Sequence, residues 1–237
     1  MSNSPRKKPK NYHHGDLRQA LVSAALRALE RQRVEDLSLR ALGRELGVSP
    51  RAPYRHFQTK EALLAAVAVE GLRRFEAFVT PRVAAAGPDP IAKLCAIAEA
   101  YVLFALEHPA AFRVMYAPYA TVAEDAPELV RARSEGHRAN LELIVAAQEA
   151  GLLRPGDPMH HALAFWTSTH GLAVLLVEGQ LGRYDRPIDA VKLSALVTRL
   201  LLEGLLARPD SRSSAPKRAA GSDDKALGRK MRRSARR

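Results

Sequence analysis

The sequence predicts an all-α protein. Apolar residues recur at helical spacing through most of the chain. Ala and Leu are abundant, and aromatics make up only 5% of the 237 residues, a balance suited to packed helices. No stretch shows the period-two alternation of a strand.

Residues 1–13 read as a basic flexible arm. Asp16 opens a first helix that ends near Arg31, with Leu17, Leu21, Ala24, Ala28 and Leu29 as its inward stripe. A loop through Arg33 and Asp36 leads to two short helices joined by a tight turn, over residues 37–57. Ser38 can cap the first with its hydroxyl, and Leu39, Leu42 and Leu46 form its apolar face. Gly47 follows, where a left-handed residue commonly closes a helix. Ser49 is a second N-cap, and Pro50 takes the first helical position, where a missing N–H costs nothing. The second helix runs from Pro50 to Phe57. Pro53 removes a bond to the Ser49 carbonyl and should tighten or distort its first turn. Thr59 caps a fourth helix with Leu63, Leu64, Val67, Leu72 and Phe75 inward, expected to stop near Val79 because Thr80-Pro81 disfavours continuation.

Ala86-Gly-Pro-Asp-Pro90 is the clearest boundary in the body. Beyond it an amphipathic helix carries Ile91, Leu94, Ala98, Tyr101, Val102 and Ala105 and ends at His108-Pro109. A short helix covers Ala110 to Tyr116. A long one starts at Asp125-Ala-Pro127 and ends at Gly151. Another runs from Asp157-Pro158 to about Gly182, and the last from Pro187 to about Ala207. Residues 208–237 are rich in Ser, Ala, Arg and Lys without apolar periodicity and read as a disordered basic tail. The expected organisation is therefore arm, a helical head over 14–74, a helical body over 75–207, and tail.

The net charge of +12 belongs to the two ends. Residues 1–14 contribute +4 and residues 208–237 contribute +8, so residues 15–207 are neutral as a whole. Basic ends suit contacts with phosphates; solvated ends are the plain alternative. The single Cys95 excludes an internal disulfide framework and fits a reducing cytoplasm. Its apolar surroundings predict a buried, inert thiol. No secretory leader is visible, and the longest apolar stretch, Leu163 to Val177, is too short and too interrupted to span a bilayer. Neither His13-His14 nor His160-His161 has ligand spacing, so no metal or cofactor is expected. No phosphate loop, nucleophile elbow or supported acid–base pair is present, which argues against an enzyme.

Between Ser38 and Lys60 the positive residues are Arg40, Arg44, Arg51, Arg55 and Lys60, and the one acid is Glu45. A short, capped, basic helix after a glycine turn is what a helix-turn-helix needs to enter a major groove. The segment from Tyr12 to Phe75 resembles the DNA-binding domain of TetR-family transcriptional regulators. Leu37-Ser38-Leu39-Arg40, Leu46-Gly47-Val48-Ser49, Tyr54-Arg55-His56-Phe57 and Lys60-Glu61-Ala62-Leu63-Leu64 carry the resemblance. It implies that Arg40, Ser49, Arg51, Ala52, Tyr54, His56 and Lys60 lie at DNA; Arg55 is added on chemistry. Ser49 and Lys60 suit phosphates. Arg51 suits a base edge, because a guanidinium can take guanine O6 and N7 together.

Trp166-Thr-Ser-Thr-His170-Gly171 places Trp166 and His170 one turn apart. It is similar to a Trp-x3-His-Gly feature of one group of TetR-like C-terminal domains. Two readings stand: a ligand-pocket wall, or a helix crossing at which Gly171 permits close approach. Phe104, Phe112, Met115, Tyr116, Phe165, Trp166 and His170 are the candidate lining for an unknown small-molecule effector, and each also suits ordinary core. The last two long helices are apolar on more than one face, so a second subunit is expected to cover residues 158–207, as the resemblance also implies. The expectation is a cytoplasmic homodimeric regulator of the repressor type, binding a palindromic double-stranded DNA operator and released by a ligand, with no membrane partner. The alternative is a packaging protein that binds nucleic acid without sequence preference through its basic tails, which the neutral body argues against.

Overall fold

The computed structural model describes residues 14–117, 126–183 and 187–206. The arm expected over 1–13, with His13, and the tail expected over 208–237 lie outside these residues. Among the described residues there are eight α-helices: α1 (His14–Leu29), α2 (Leu39–Glu45), α3 (Lys60–Ala85), α4 (Pro90–Glu107), α5 (Pro109–Met115), α6 (Pro127–Glu149), α7 (Pro158–Val177) and α8 (Ala190–Leu205). The only strand-like pairing among them is an isolated bridge between Leu153 and Leu206.

Side-chain caps fix four of the helix starts. Thr59 accepts from the Ala62 N–H, Asp89 from Ile91, Asp157 from Met159 and Asp189 from Lys192. Pro90, Pro109, Pro127 and Pro158 each open a helix, where a proline forfeits no internal bond. Ser38 stands at the α2 cap with extended backbone, but its hydroxyl makes no cap bond.

The boundaries differ from expectation in four places. The second helix of the pair is not an α-helix: only Pro53–Arg55 is helical, as a 3-10 turn. The α3 helix passes Thr80-Pro81 and ends at Ala85. Pro81 removes the bond that the Ala77 carbonyl would accept, and neighbouring carbonyls find side-chain donors instead. The Thr80 hydroxyl donates to the Glu76 carbonyl at 2.8 Å, and Arg82 donates to that of Phe78 at 2.6 Å. The α7 helix ends at Val177 rather than near Gly182, because Gly179 turns left-handed (φ +64°) into a 3-10 turn at Gln180–Arg183. The last helix starts at Ala190, three residues after Pro187.

Two further expectations are corrected. Cys95 is exposed, not buried. It lies beside the outward Glu99 on α4, while Leu94, Ala98, Tyr101, Val102 and Ala105 turn inward. Partial burial, then the Asp89 charge, still raise its thiol pKa, which disfavours the reactive thiolate. Among the described residues nothing from another element lies within 4 Å of a Cβ built on Gly171, so Gly171 marks no close crossing between them.

The core has three centres. The largest joins α1, α2 and α3 to Phe104 of α4, Ala110, Ala111, Val114 and Met115 of α5, and Leu129 of α6. The second gathers Leu94, Ile144, Leu153, Phe165 and Leu202, and the third Tyr101, Phe112 and Leu172. The α3 helix thus packs at once on α1 and on α4, α5 and α6. A Cβ on Gly71 would sit 2.8 Å from Met115 Cγ, so α3 and α5 meet at van der Waals limits there. The loop between α6 and α7 is tied to the end of α8: the Arg154 N–H donates to the Leu205 carbonyl at 2.7 Å. Gln148 secures the same loop by donating to the carbonyls of Arg154 and Gly156, with His161 Nδ1 at 3.1 Å.

Glu70 is buried on α3 and accepts from Arg73 at 2.8 and 3.0 Å and from Arg74 at 2.9 Å. Hydrogen bonding from Arg73, then from Arg74, outweighs burial and lowers its pKa to about 2. A lowered carboxyl pKa contributes stability above the ordinary glutamate value of 4.5, and that contribution is lost as pH falls from there toward 2. Both arginines reach solvent, so screening limits the effect to about 1–2 kcal/mol. Glu70→Gln is expected to lower the melting temperature at pH 7 and to match the wild type only as pH falls to about 2; thermal melts of both proteins across pH check this.

Candidate nucleic-acid interface and the aromatic cluster behind it

The reading head is built on one tight junction. Leu46 ends α2 and Gly47 follows with φ +70°. The Val48 N–H returns to the Gly43 carbonyl at 3.0 Å and the Gly47 N–H to that of Arg44 at 3.1 Å, the paired bonds of a Schellman turn. The next residues wind tightly. Ala52 donates to Ser49, Arg55 to Ala52, and His56 to Pro53, all at three-residue spacing. Pro53 has no N–H to offer the Ser49 carbonyl, which takes the Ala52 N–H instead. Pro53 is buried against α2, where a Cβ on Gly43 would come within 2.8 Å of its Cγ. Phe57 is buried beneath the Arg18 guanidinium of α1, 5.3 Å from the ring centre.

This packing leaves Arg40, Ser49, Arg51, Tyr54 and Arg55 exposed, with Tyr54 at 48%. Ala52 and His56 are half-buried. Arg44 is exposed beside Glu45, whose carboxylate faces Arg27 of α1 at 3.4 Å. The one acid of the motif is therefore opposed by a cation from another helix. Lys60 is placed differently from the rest: its Nζ donates to the Glu35 carbonyl at 2.8 Å, closing the 3-10 turn Val34–Asp36 onto the start of α3. A lysine in that position can still present charge to a phosphate, but its first partner is the backbone.

Behind the head, α4 to α7 bring a set of rings together. Tyr101 and His170 share a hydrogen bond at 2.8 Å. His170 stacks on Trp166 at 5.4 Å and 20°, and meets Tyr116 edge-on at 5.0 Å and Phe112 at 5.6 Å. His137 of α6 lies edge-on to Trp166 at 5.1 Å, and Arg133 sits 5.9 Å above Tyr116 while holding the Met115 carbonyl through Nε. Of the candidate lining, Phe112, Tyr116, Trp166 and His170 thus converge. Phe104 belongs to a neighbouring ring group with Phe75, Phe78 and His108, Met115 packs against Gly71, and Phe165 lies in the second core. Tyr101, Arg133 and His137 join the cluster without having been singled out. Tyr101 and His170 are 69 residues apart, and no local spacing in the sequence links them.

Burial raises the pKa of both tyrosines. It lowers that of His170, and with the Arg133 charge that of His137. Both imidazoles are held toward the neutral form. Among the described residues no group of three or more His, Cys, Asp or Glu could hold a metal ion, and no helix is long and apolar enough to cross a membrane.

A glycine-turned pair that exposes arginines and a tyrosine, set on a larger helical body, defines a helix-turn-helix DNA-binding regulator. Residues 21–67 match the family described as "Bacterial regulatory proteins, tetR family", and residues 94–200 match "Tetracyclin repressor-like, C-terminal domain". The chain belongs to the TetR family of DNA-binding transcriptional regulators. It is 25% identical over 186 residues to an uncharacterized HTH-type transcriptional regulator, YobS, of Bacillus subtilis, covering 78% of this chain and 91% of that protein. A solved protein of unknown function from Rhodococcus sp. RHA1 is 34% identical, with a TM-score of 0.72 over 84% of this chain and all of the other. AibR, solved with isovaleryl coenzyme A and operator DNA, shares the fold at a TM-score of 0.58 and 19% identity, over 80% of this chain and 98% of that one.

Gly43→Leu is expected to force the Pro53 turn away from α2, at a cost of about 1–3 kcal/mol. Denaturant unfolding gives the stability, and DNA binding should weaken at temperatures where the variant is still folded.

Proposed function

We propose that the protein is a homodimeric repressor of the cytoplasm, which binds a palindromic operator and is released by a small molecule held in its helical body. The observation that carries this is the continuity of α3. One end of this helix, capped by Thr59, is tied to the reading head by the Lys60 hydrogen bond to the Glu35 carbonyl. About four turns further on, Phe75 meets Tyr101 at 5.2 Å and Phe104 at 5.3 Å, and Phe78 meets Phe104 at 5.6 Å. A ligand that displaces the Tyr101 cluster shifts these contacts, and α3 carries the shift to the head. In a dimer, such a shift changes the spacing of two heads that must meet successive major grooves about 34 Å apart.

Arg40, Ser49, Arg51, Ala52, Tyr54, Arg55, His56 and Lys60 form the DNA surface in this reading, with Arg51 at a base edge. AibR supports the pairing of the two functions, since that protein of similar fold was solved with both an acyl coenzyme A and operator DNA. The dimer rests on residues 158–207. Met159, Leu163, Leu175, Leu196 and Leu200 are exposed along α7 and α8, Leu200 at 57%. Beside them an apolar hollow of about 510 Å³ is lined by Leu181, Ile188, Leu193 and Leu196. Large apolar side chains lined up on two adjacent helices, with open space beside Gly171 and Gly204, suit a four-helix contact with a second copy.

Binding-site selection on random duplex DNA should yield one palindrome. Arg51→Ala is expected to weaken binding to it by about 1–3 kcal/mol and to relax the preference at one base pair per half-site. An unchanged base preference removes Arg51 from the base edge. Sedimentation should show a wild-type dimer at micromolar concentration and a monomer for Leu200→Glu, which places a carboxylate in the apolar contact; a monomeric wild type contradicts the dimer.

A further inference from the structure

We propose that the Tyr101–Tyr116–Trp166–His170 cluster is the recognition end of the effector site, and that it takes a small apolar molecule ending in a carboxylate. The proposal rests on the effector-released reading above and names the chemistry of that effector.

The first support is an orphaned donor. Trp166 Nε1 is the one buried side-chain nitrogen or oxygen among the described residues that has no hydrogen-bond partner. A buried N–H left without an acceptor costs free energy, so a ligand atom that accepts from it gains both the bond and the relief. The second is the company it keeps. The Tyr101 and Tyr116 hydroxyls lie close enough to feel the indole N–H, yet neither meets it in a hydrogen bond. The Tyr101 hydroxyl already shares a hydrogen bond with His170 Nδ1, so the Tyr116 hydroxyl is the one that can turn to donate beside the indole N–H, and a ligand acceptor could take both.

The third is charge. Burial keeps His170 and His137 toward neutrality, and the tyrosines stay protonated. Arg133 is then the only full charge among the described residues that these ring contacts and hydrogen bonds join, and no carboxylate is among them. A half-buried cation that no acid among the described residues pairs with favours an anionic ligand over a neutral or cationic one. The walls are flat and apolar: Phe112, Tyr116 and the stacked Trp166–His170 pair suit an aromatic or branched alkyl body. The response is already wired, since Tyr101 touches Phe75 of α3.

Trp166 is the only tryptophan of the chain, so its indole reports this site alone. The test is a titration of the 15N-labelled full-length protein with phenylacetate and, separately, with phenethylamine, followed by the indole N–H resonance and by tryptophan fluorescence. Phenylacetate should move both signals saturably, and phenethylamine should not. Tyr116→Phe, which keeps the ring but loses the hydroxyl, should weaken phenylacetate about tenfold with the helical circular dichroism unchanged. The assignment is overturned if phenylacetate leaves the indole signal in place, or if the amine moves it as far. Operator release, measured in parallel on the selected palindrome, separates the two claims. Binding at Trp166 without release keeps this site and overturns the release mechanism. A molecule that releases the operator without disturbing the indole does the reverse.

Discussion

The close contact between α3 and α5 is the constraint on which the rest of the molecule depends. A carbon added at Gly71 would come within 2.8 Å of Met115 Cγ, so Met115 would have to move to admit it. That contact fixes α3 against the body along its middle. Its first turns are fixed separately by Leu63, Leu64, Val67 and Ala68 in the largest core. A helix held at both places cannot pivot freely at either. Motion at one end must therefore appear at the other or be absorbed where the helix is weakest, at Pro81, beyond both sets of contacts. The position of the proline leaves the segment between head and body uninterrupted.

The reading head follows a different logic. It is small, and its shape comes from backbone hydrogen bonds and close approaches more than from bulk. Gly47 supplies the left-handed turn, Gly43 the gap that Pro53 fills, and Phe57 the plug beneath Arg18. The exposed side chains contribute little to this framework, which leaves them free to serve DNA. Lys60 is the exception, because its hydrogen bond to Glu35 makes it part of the framework as well.

Much of this was legible in the sequence because the signals are local. The caps at Thr59 and Asp157, the glycine at 47 and the prolines at 127 and 158 each act within a few residues. The family resemblance rested on the same short motifs. Two local rules were overridden. Thr80-Pro81 should have stopped α3, but side-chain donors satisfied the carbonyls around the break and the helix continued. Pro50 to Phe57 should have been a helix tightened only in its first turn, but the tightening that Pro53 imposes left a 3-10 turn at Pro53–Arg55 alone. The exposure of Cys95 was missed because an all-round apolar pattern does not say which face a neighbour covers. The ring cluster was half legible. Trp166 and His170 declare themselves by spacing, whereas Tyr101, Arg133 and His137 arrive from other helices, and only the packing of α4, α6 and α7 brings them in.

The tie between the α6–α7 loop and the end of α8 has a mechanical consequence. Terminal helices usually fray, so a tug on the chain end is dissipated one turn at a time. Here the Leu205 carbonyl is held by Arg154, and Leu206 pairs with Leu153 in a short antiparallel bridge. A load applied beyond α8 therefore enters the loop before it can unwind the helix. From the loop it passes through Gln148 into α6, the helix that carries Arg133 and His137 to the rings. A bulky cargo fused at that end would hang from the same helix that lines the ring cluster, whereas cargo attached at the opposite terminus would not.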